Sequence, residues 1–279
     1  MKLVTFVHDG VEKTGVLSAD EQAVRPLPYP DMLTLIEAKD LSAAPAAESV
    51  PLSAVKLLAP IPHPRQDVIC LGINYKAHAT EAERYDADFK KERPIPIYFS
   101  KRVTEAVGPE GLIESHPGLV ERLDYESELA VIIGKTAKNV PAERAADYIF
   151  GYTILNDVSA RVLQTSHKQW YFGKSLDSFT PMGPCIVTAD EIAFPPKLRI
   201  SAAVNGETRQ NSTTDLLITS IADIIAELSS AMTLLPGTII ATGTPAGVGM
   251  GFDPPRFLKS GDIVECSIEK IGTLRNTVK

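Results

Sequence analysis

Two glutamates stand two residues apart in D-Y-E-S-E-L-A-V-I-I-G (124–134), at the mouth of a run of apolar, mostly β-branched residues. On a strand, residues i and i+2 point to the same side, so Glu126 and Glu128 project together, roughly 7 Å apart along the backbone. Asp124 has the same parity. Carboxylates that close repel one another, and burying them is costly unless something positive joins them. A divalent cation taking oxygen ligands would do so. Asp157 ends the strand-like run F-G-Y-T-I-L-N-D (150–157), just before a helical pattern over 158–164. A carboxylate at such a corner can reach the end of a neighbouring strand. Glu126, Glu128 and Asp157 together offer a site for Mg²⁺ or Mn²⁺. The set has no thiol and no obvious imidazole, which disfavours zinc. Each signal alone has a plainer reading: Glu-x-Glu suits a solvated strand face, and Asp157 suits a helix cap.

The elements that must position these acids are mostly strands. Strand-like runs cover 68–73, 96–100, 128–134, 150–157, 184–192, 198–207, 237–243 and 262–272. Helical patterns are fewer, at 74–84, 141–147, 158–164 and 215–233. The last carries Leu217, Ile221, Ile224, Ile225 and Leu228 near the 3.6-residue period. Strands outnumber helices without alternating strictly with them. The expected class is therefore α+β with mixed sheets, not a doubly wound fold or a regular barrel. Nearer the start, 2–7 and 14–17 flank Asp9-Gly10, a hairpin signal. A short helix is expected at 30–39 with Asp31 as its cap, followed by an Ala-, Ser- and Pro-rich linker at 40–55. The expected organisation is a small β-rich N-terminal domain (1–60) and a catalytic domain (61–279).

Composition excludes several classes. A net charge of −7 argues against a phosphate-backbone binder, so no nucleic acid partner is expected. No window approaches the roughly 18 apolar residues of a membrane span. The opening MKLVTFVHDG lacks a secretory leader's long apolar stretch, and a cytoplasmic location is expected. Cys70, Cys185 and Cys266 are odd in number, far apart and in apolar contexts, which fits buried free thiols. Gly247-x-Gly249-x-Gly251 falls short of a dinucleotide fingerprint, because Asp253-Pro254-Pro255 follows where a helix should start.

Five segments in order resemble the fumarylacetoacetate hydrolase family, in the branch holding acylpyruvate hydrolases, 2-oxo-acid decarboxylases and hydroxymuconate-type isomerases. They are L-G-I-N-Y-K-A-H-A-T-E (71–81), D-Y-E-S-E-L-A-V-I-I-G (124–134), N-D-V-S-A-R (156–161), G-K-S-L-D-S-F-T-P-M-G-P (173–184) and T-G-T-P-A-G-V-G (242–249). The resemblance covers about 66–270. It implies a mixed β-sheet roll for the catalytic domain, a homodimer, and Glu126, Glu128 and Asp157 as metal ligands. It also implies a catalytic lid dyad of His78 and Glu81, which helical i, i+3 spacing would pair. The same spacing suits an ordinary surface pair. Lys174 matches the family lysine that stabilises a developing enolate oxygen. Gln164 and Thr244 match substrate-contacting residues, and Lys101 a lysine near the site that is expected to bind substrate. Arg161 and Gln164 follow Asp157 at i+4 and i+7, one face of the expected helix, and Arg161 suits substrate binding or a structural ion pair.

The implied activity is a metal-dependent hydrolase cleaving a C–C bond in a 2,4-dioxo acid (an acylpyruvate) through a metal-stabilised enolate. Oxaloacetate decarboxylation, or a hydroxymuconate-type isomerisation, is the alternative on the same site. A metal- or ligand-binding protein without catalysis is the reading from another class. The partner is a small 2-oxo acid. Val162 and Arg102 depart from the family pattern and are expected to border the pocket. His116, His167, Gln169 and Trp170 are further candidates for pocket loops.

Overall fold

The computed structural model describes residues 1–38, 48–85 and 95–279. The N-terminal part holds β1 (Lys2–His8), β2 (Val11–Leu17), β3 (Ala23–Pro26), α1 (Met32–Ala38), β4 (Val50–Pro51) and β5 (Lys56–Leu57). Next come β6 (Val68–Gly72), α2 (Lys76–Tyr85), β7 (Ile97–Lys101), β8 (Leu112–Ile113), β9 (Leu123–Asp124), β10 (Ser127–Ile133), β11 (Ile149–Asn156) and β12 (Ser159–Ala160). After them run α3 (Arg161–Ser166), α4 (Tyr171–Lys174), β13 (Met182–Thr188), β14 (Arg199–Val204) and β15 (Glu207–Thr213). The chain ends with α5 (Ile221–Ala231), β16 (Ile239–Ala241), β17 (Ile263–Ile268) and β18 (Gly272–Val278).

This is the expected α+β architecture with mixed sheets. The large sheet runs β4-β3-β2-β1-β13-β11-β10-β16-β6-β7, with β5 also pairing β1. Its pairs are antiparallel except β16 with β6. A second sheet runs β15-β14-β17-β18-β8. All of β10 is buried, because both faces of the sheet are covered. Leu129, Val131 and Ile133 join an apolar cluster with Ile221, Ile224, Ile225 and Leu228 of α5. Ala130 and Ile132 point the other way, into a cluster with Met32, Leu35 and Ile36 of α1. Each such buried aliphatic side chain contributes about 1.5–3 kcal/mol. The three cysteines are free and buried, as expected.

Several expected boundaries shift, each for a local reason. The run 198–207 is a hairpin, turned at Asn205 and Gly206, which both take positive φ (52° and 78°). Asn-Gly is the strongest short hairpin signal, and here it outweighs the β-rich letters around it. Helix α5 starts at Ile221, not 215, because the Ser220 hydroxyl caps it by accepting from Asp223 N–H. The 141–147 pattern forms a 3₁₀ stretch, Ala142–Tyr148. Asp31 does cap α1, accepting from Thr34 N–H at 2.7 Å. Of the expected linker, residues 40–47 lie outside the described residues; Val50–Pro51 pairs with β3 and so belongs to the large sheet.

Candidate active site

Register gathers the acids. Strands β10 and β11 run antiparallel with Glu128 opposite Leu155 and Ser127 opposite Asn156. One step further, Asp157 N–H donates to the Glu126 carbonyl at 2.8 Å. Glu128 therefore shares a sheet face with Asp157, and Glu126 lies beside it where the two strands end. One carboxylate oxygen from each of Glu126, Glu128 and Asp157 lies within 4.8 Å of the others, and all three residues are buried. Strand β16 pairs with the far side of β10 and continues into Gly243, whose N–H donates to Glu128 Oε2 at 2.7 Å.

Cations surround the acids. Lys174, the last residue of α4, donates to Glu126 Oε2 at 2.9 Å and to Asp157 Oδ2 at 2.7 Å. Lys101 ends β7 and donates to Asp157 Oδ1 at 2.5 Å and to the Val158 carbonyl at 3.1 Å. It sits beneath the acids, not on the pocket wall where a substrate-binding residue was expected. Arg161 is the first residue of α3, because Ser159–Ala160 pairs with Leu123–Asp124 as a two-residue strand and delays the helix. Asp157 and Arg161 therefore do not share a helix face. Arg161 Nε instead reaches Asp124 Oδ2 at 2.9 Å, and Nη1 reaches Glu126 Oε1 at 2.7 Å. Its i+3 neighbour Gln164 accepts from Nη1 at 3.1 Å. The other guanidinium nitrogen, Nη2, is buried without a partner.

These charges do not balance. Four buried carboxylates (Asp124, Glu126, Glu128, Asp157) face three buried cations (Lys101, Arg161, Lys174). Burial pushes the Glu126 carboxyl up, but the Lys174 and Arg161 charges outweigh it and hold Glu126 well below its ordinary range. Burial disfavours the Lys174 charge, yet the Asp157 and Glu126 carboxylates raise it and keep it protonated. Glu128 takes the remainder. Burial first, then the Asp157 and Glu126 charges, push its carboxyl well above the ordinary carboxylate range. Its Oε1 is also buried with no hydrogen-bond partner. An orphaned carboxylate oxygen facing two more acids is the donor set a hard divalent cation requires. The residues present thus fit such an ion.

A narrow pocket above the acids is walled by Leu71–Ile73, Phe99, Trp170, Met250 and the charged groups. Its roof is α2. His78 is buried and lines the pocket, with Nδ1 at 3.3 Å from Glu81 Oε2. The other Glu81 oxygen accepts from Gly247 N–H at 2.8 Å. Gly247 takes φ +102°, and a Cβ there would sit 1.9 Å from the Arg209 carbonyl, so only glycine fits. Amides that a dinucleotide phosphate would need are spent likewise: Gly249 and Met250 N–H groups donate to Asp124, at 2.6 and 3.0 Å. Thr244 lines the pocket, its hydroxyl donating to the Ser127 carbonyl at 2.9 Å.

Two positioning residues escaped the sequence reading. Gln210 Nε2 donates to Thr244 Oγ1 and to the Pro245 carbonyl, at 2.8 and 2.7 Å, while its Oε1 accepts from Ser127 N–H. Asn74 Nδ2 donates to the Thr242 carbonyl at 2.8 Å, tying the first motif to the fifth. Asn74 lay inside a quoted motif; Gln210, on an edge strand, gave no signal. Of the further candidates, Trp170 lines the pocket. His116 does not, and instead sits 3.0 Å from the Asp177 carbonyl. His167 and Gln169 are exposed and outside the pocket. Val162 and Arg102, expected at its border, are also absent from its walls, and Arg102 N–H donates to Ser175.

Residues 67–279 match the family described as fumarylacetoacetate (FAA) hydrolase C-terminal. Oxaloacetate tautomerase YisK of Bacillus subtilis is 48% identical over 227 residues, covering 81% of this chain and 74% of that protein. The mitochondrial oxaloacetate tautomerase Fahd2a of Rattus norvegicus is 44% identical over 230 residues, 82% of this chain and 71% of its own length. Among solved structures, the fumarylacetoacetate hydrolase of Exiguobacterium antarcticum superposes with a TM-score of 0.89 at 40% identity, covering 100% of this chain and 99% of that one. The 2-hydroxyhepta-2,4-diene-1,7-dioate isomerase of Mycobacterium marinum gives 0.79 at 35% identity, with 100% and 98% covered. With the family match spanning most of its length, this chain belongs to the fumarylacetoacetate hydrolase family and is an enzyme of that superfamily.

Proposed function

We propose that the chain is a tautomerase of a small 2-oxo dicarboxylic acid of the oxaloacetate class. One observation carries this reading: a single buried histidine, oriented by a carboxylate that is itself pinned to the backbone, roofs a small pocket floored by acids. Glu81 holds His78 Nδ1 and leaves Nε2 toward the pocket. His78 removes a proton from C3. The C–H electron pair forms the C2=C3 bond, and the C2 oxygen takes the proton as enol; the reverse path restores the ketone. Lys174 has three donors, of which two are spent on carboxylates, leaving one for the oxygen that gains charge. The free Arg161 Nη2 suits a substrate carboxylate. A divalent cation held by Glu126, Glu128 and Asp157, Mg²⁺ or Mn²⁺, would supply Lewis-acid polarisation of the 2-oxo group. Two relatives above 40% identity carry the name oxaloacetate tautomerase, which supports the same reading.

A second reading keeps the hydrolase expected from the sequence. There His78 activates water against the C4 carbonyl of an acylpyruvate. The solved relative named a fumarylacetoacetate hydrolase favours it. Both are tested side by side. Enol-oxaloacetate ketonisation is followed by ultraviolet absorbance, and pyruvate release from acetylpyruvate by coupled assay, each with Mg²⁺ and with Mn²⁺. We expect ketonisation well above the metal-only rate and its loss in His78→Ala. Wild type no faster than metal alone, with pyruvate released from acetylpyruvate, would replace the first reading by the second.

A further inference from the structure

Trp170 occupies a place that none of the proposed chemistry uses. It lies between α3 and α4 and lines the pocket. Its indole meets Phe99 edge to face, with centroids 5.2 Å apart. Lys174 also approaches Phe99, with its ammonium 5.1 Å from the ring centroid. A line of contacts thus runs from the acids through Lys174 and Phe99 to Trp170. The indole also packs against the cluster of Ala82, Val248 and Met250, joining the roof helix to the glycine loop. Ala82 lies one turn beyond His78. On its remaining side the indole abuts Gly72: a Cβ there would sit 2.1 Å from Trp170 Cζ3. Any other residue at 72 would displace the ring, so backbone and side chain are fitted to each other.

We propose that Trp170 sets the length of substrate the pocket accepts, confining it to a 2-oxo acid with little chain beyond C4. The inference rests on the 2-oxo acid reading above and adds the residue that limits its size. A rigid aromatic wall acts against longer chains because they would have to move the indole, and the indole is held on several sides. Space opened on removing it would be apolar, lined by Phe99, Met250 and Ala82.

The test compares wild type, Trp170→Ala and Trp170→Phe with oxaloacetate and with the longer fumarylpyruvate. The quantity read is the kcat/KM ratio, longer substrate over shorter. We expect the ratio to rise about tenfold or more in Trp170→Ala, and less in Trp170→Phe, which keeps a ring and guards against misfolding of the alanine variant. A ratio unchanged in both variants overturns the proposal. A second measurement separates this from failure of the functional reading. Trp170 is the chain's single tryptophan, so its emission reports this wall alone. Titrating wild type with oxalate in the presence of Mg²⁺ should shift that emission, and no shift overturns the placement. Should wild type turn over no 2-oxo acid while oxalate still shifts the emission, the functional reading falls and the wall stands.

Discussion

The floor and the roof of the pocket are built on opposite plans. The floor is fixed. Glu126, Glu128 and Asp157 hang from paired strands in the middle of an eleven-stranded sheet, and Lys101, Arg161 and Lys174 lock two of the three acids from several directions. The roof is lightly held. Helix α2 carries His78 and Glu81, and among the described residues it meets the glycine loop through one side chain–backbone bond, Glu81 to Gly247, and a cluster centred on Ala82, Val248 and Met250. The difference follows from what each part does. Buried charges must be placed to within a fraction of an ångström, since an unpaired one costs several kcal/mol. A histidine that moves a proton needs only reach and orientation, and a roof with few buried apolar contacts opens with little free energy.

Breaking the floor should therefore cost the fold, and this is the largest effect expected. Glu126→Ala strips a partner from both Lys174 and Arg161, leaving each buried cation with one carboxylate in place of two. Removing one member of such a buried set costs about 3–5 kcal/mol. The midpoint of urea denaturation should fall accordingly, with turnover lost. A midpoint unchanged from wild type would mean the floor relaxes as freely as the roof, and the contrast would vanish.

Breaking the roof should cost rate alone. His78→Ala removes the proton acceptor, and positioned acid–base groups contribute about 10²–10⁴ in rate. Its one polar tie is a 3.3 Å contact to Glu81, and the Glu81 bond to Gly247 survives the change. Stability should thus stay within about 1 kcal/mol of wild type, the scale of one ordinary hydrogen bond. Calorimetry should find Mg²⁺ affinity unchanged. Loss of metal affinity here would tie roof and floor into one unit.

How much of this was legible depended on whether a local period or a long-range register decides the outcome. Glu126 and Glu128 were legible because period two on a strand places them together whatever the strand pairs with. Asp124 shares their parity, yet it belongs to β9 rather than β10, with Tyr125 and Glu126 between the two strands. Its carboxylate faces Arg161 and the Gly249 and Met250 amides instead of the other acids. The spacing after Asp157 suggests a helix face that Arg161 lacks, because the pairing of Ser159–Ala160 with β9 is a long-range contact the local period cannot show. Lys101 illustrates the same limit. Its spacing after the strand was visible, but whether it pointed up to substrate or down to Asp157 depended on β6 lying between it and the rest of the sheet. Gln210 had no signal at all, since its role is to tie the Thr244–Pro245 segment to the start of β10 from an edge strand.

The smallest and sharpest probe lies within the floor, at the one acid that the cations leave out. Glu128 is raised by burial and by the neighbouring acids, so without a metal the folded chain holds a proton there that the unfolded chain releases. The folded state then binds more protons, and its stability falls as pH rises above the ordinary value of 4.5 toward the raised folded value. The slope from this single proton is about 1.4 kcal/mol per pH unit inside that window. Below 4.5 both states are protonated and the contribution is fully present. Glu126 runs the other way: its depressed carboxyl stabilises above its ordinary value, and that is lost as pH falls. Subtracting the Glu128→Gln curve from the wild-type curve isolates the first trend, because the amide cannot titrate and keeps an acceptor for Gly243 N–H. The variant should be more stable than wild type at neutral pH without metal. It should also lose the rise in Tm that Mg²⁺ gives wild type, a rise that grows with pH as the competing proton leaves. Two parallel stability curves, with equal gains from Mg²⁺, would mean that Glu128 is neither strained nor a ligand, and that the floor is as complete as its other acids make it.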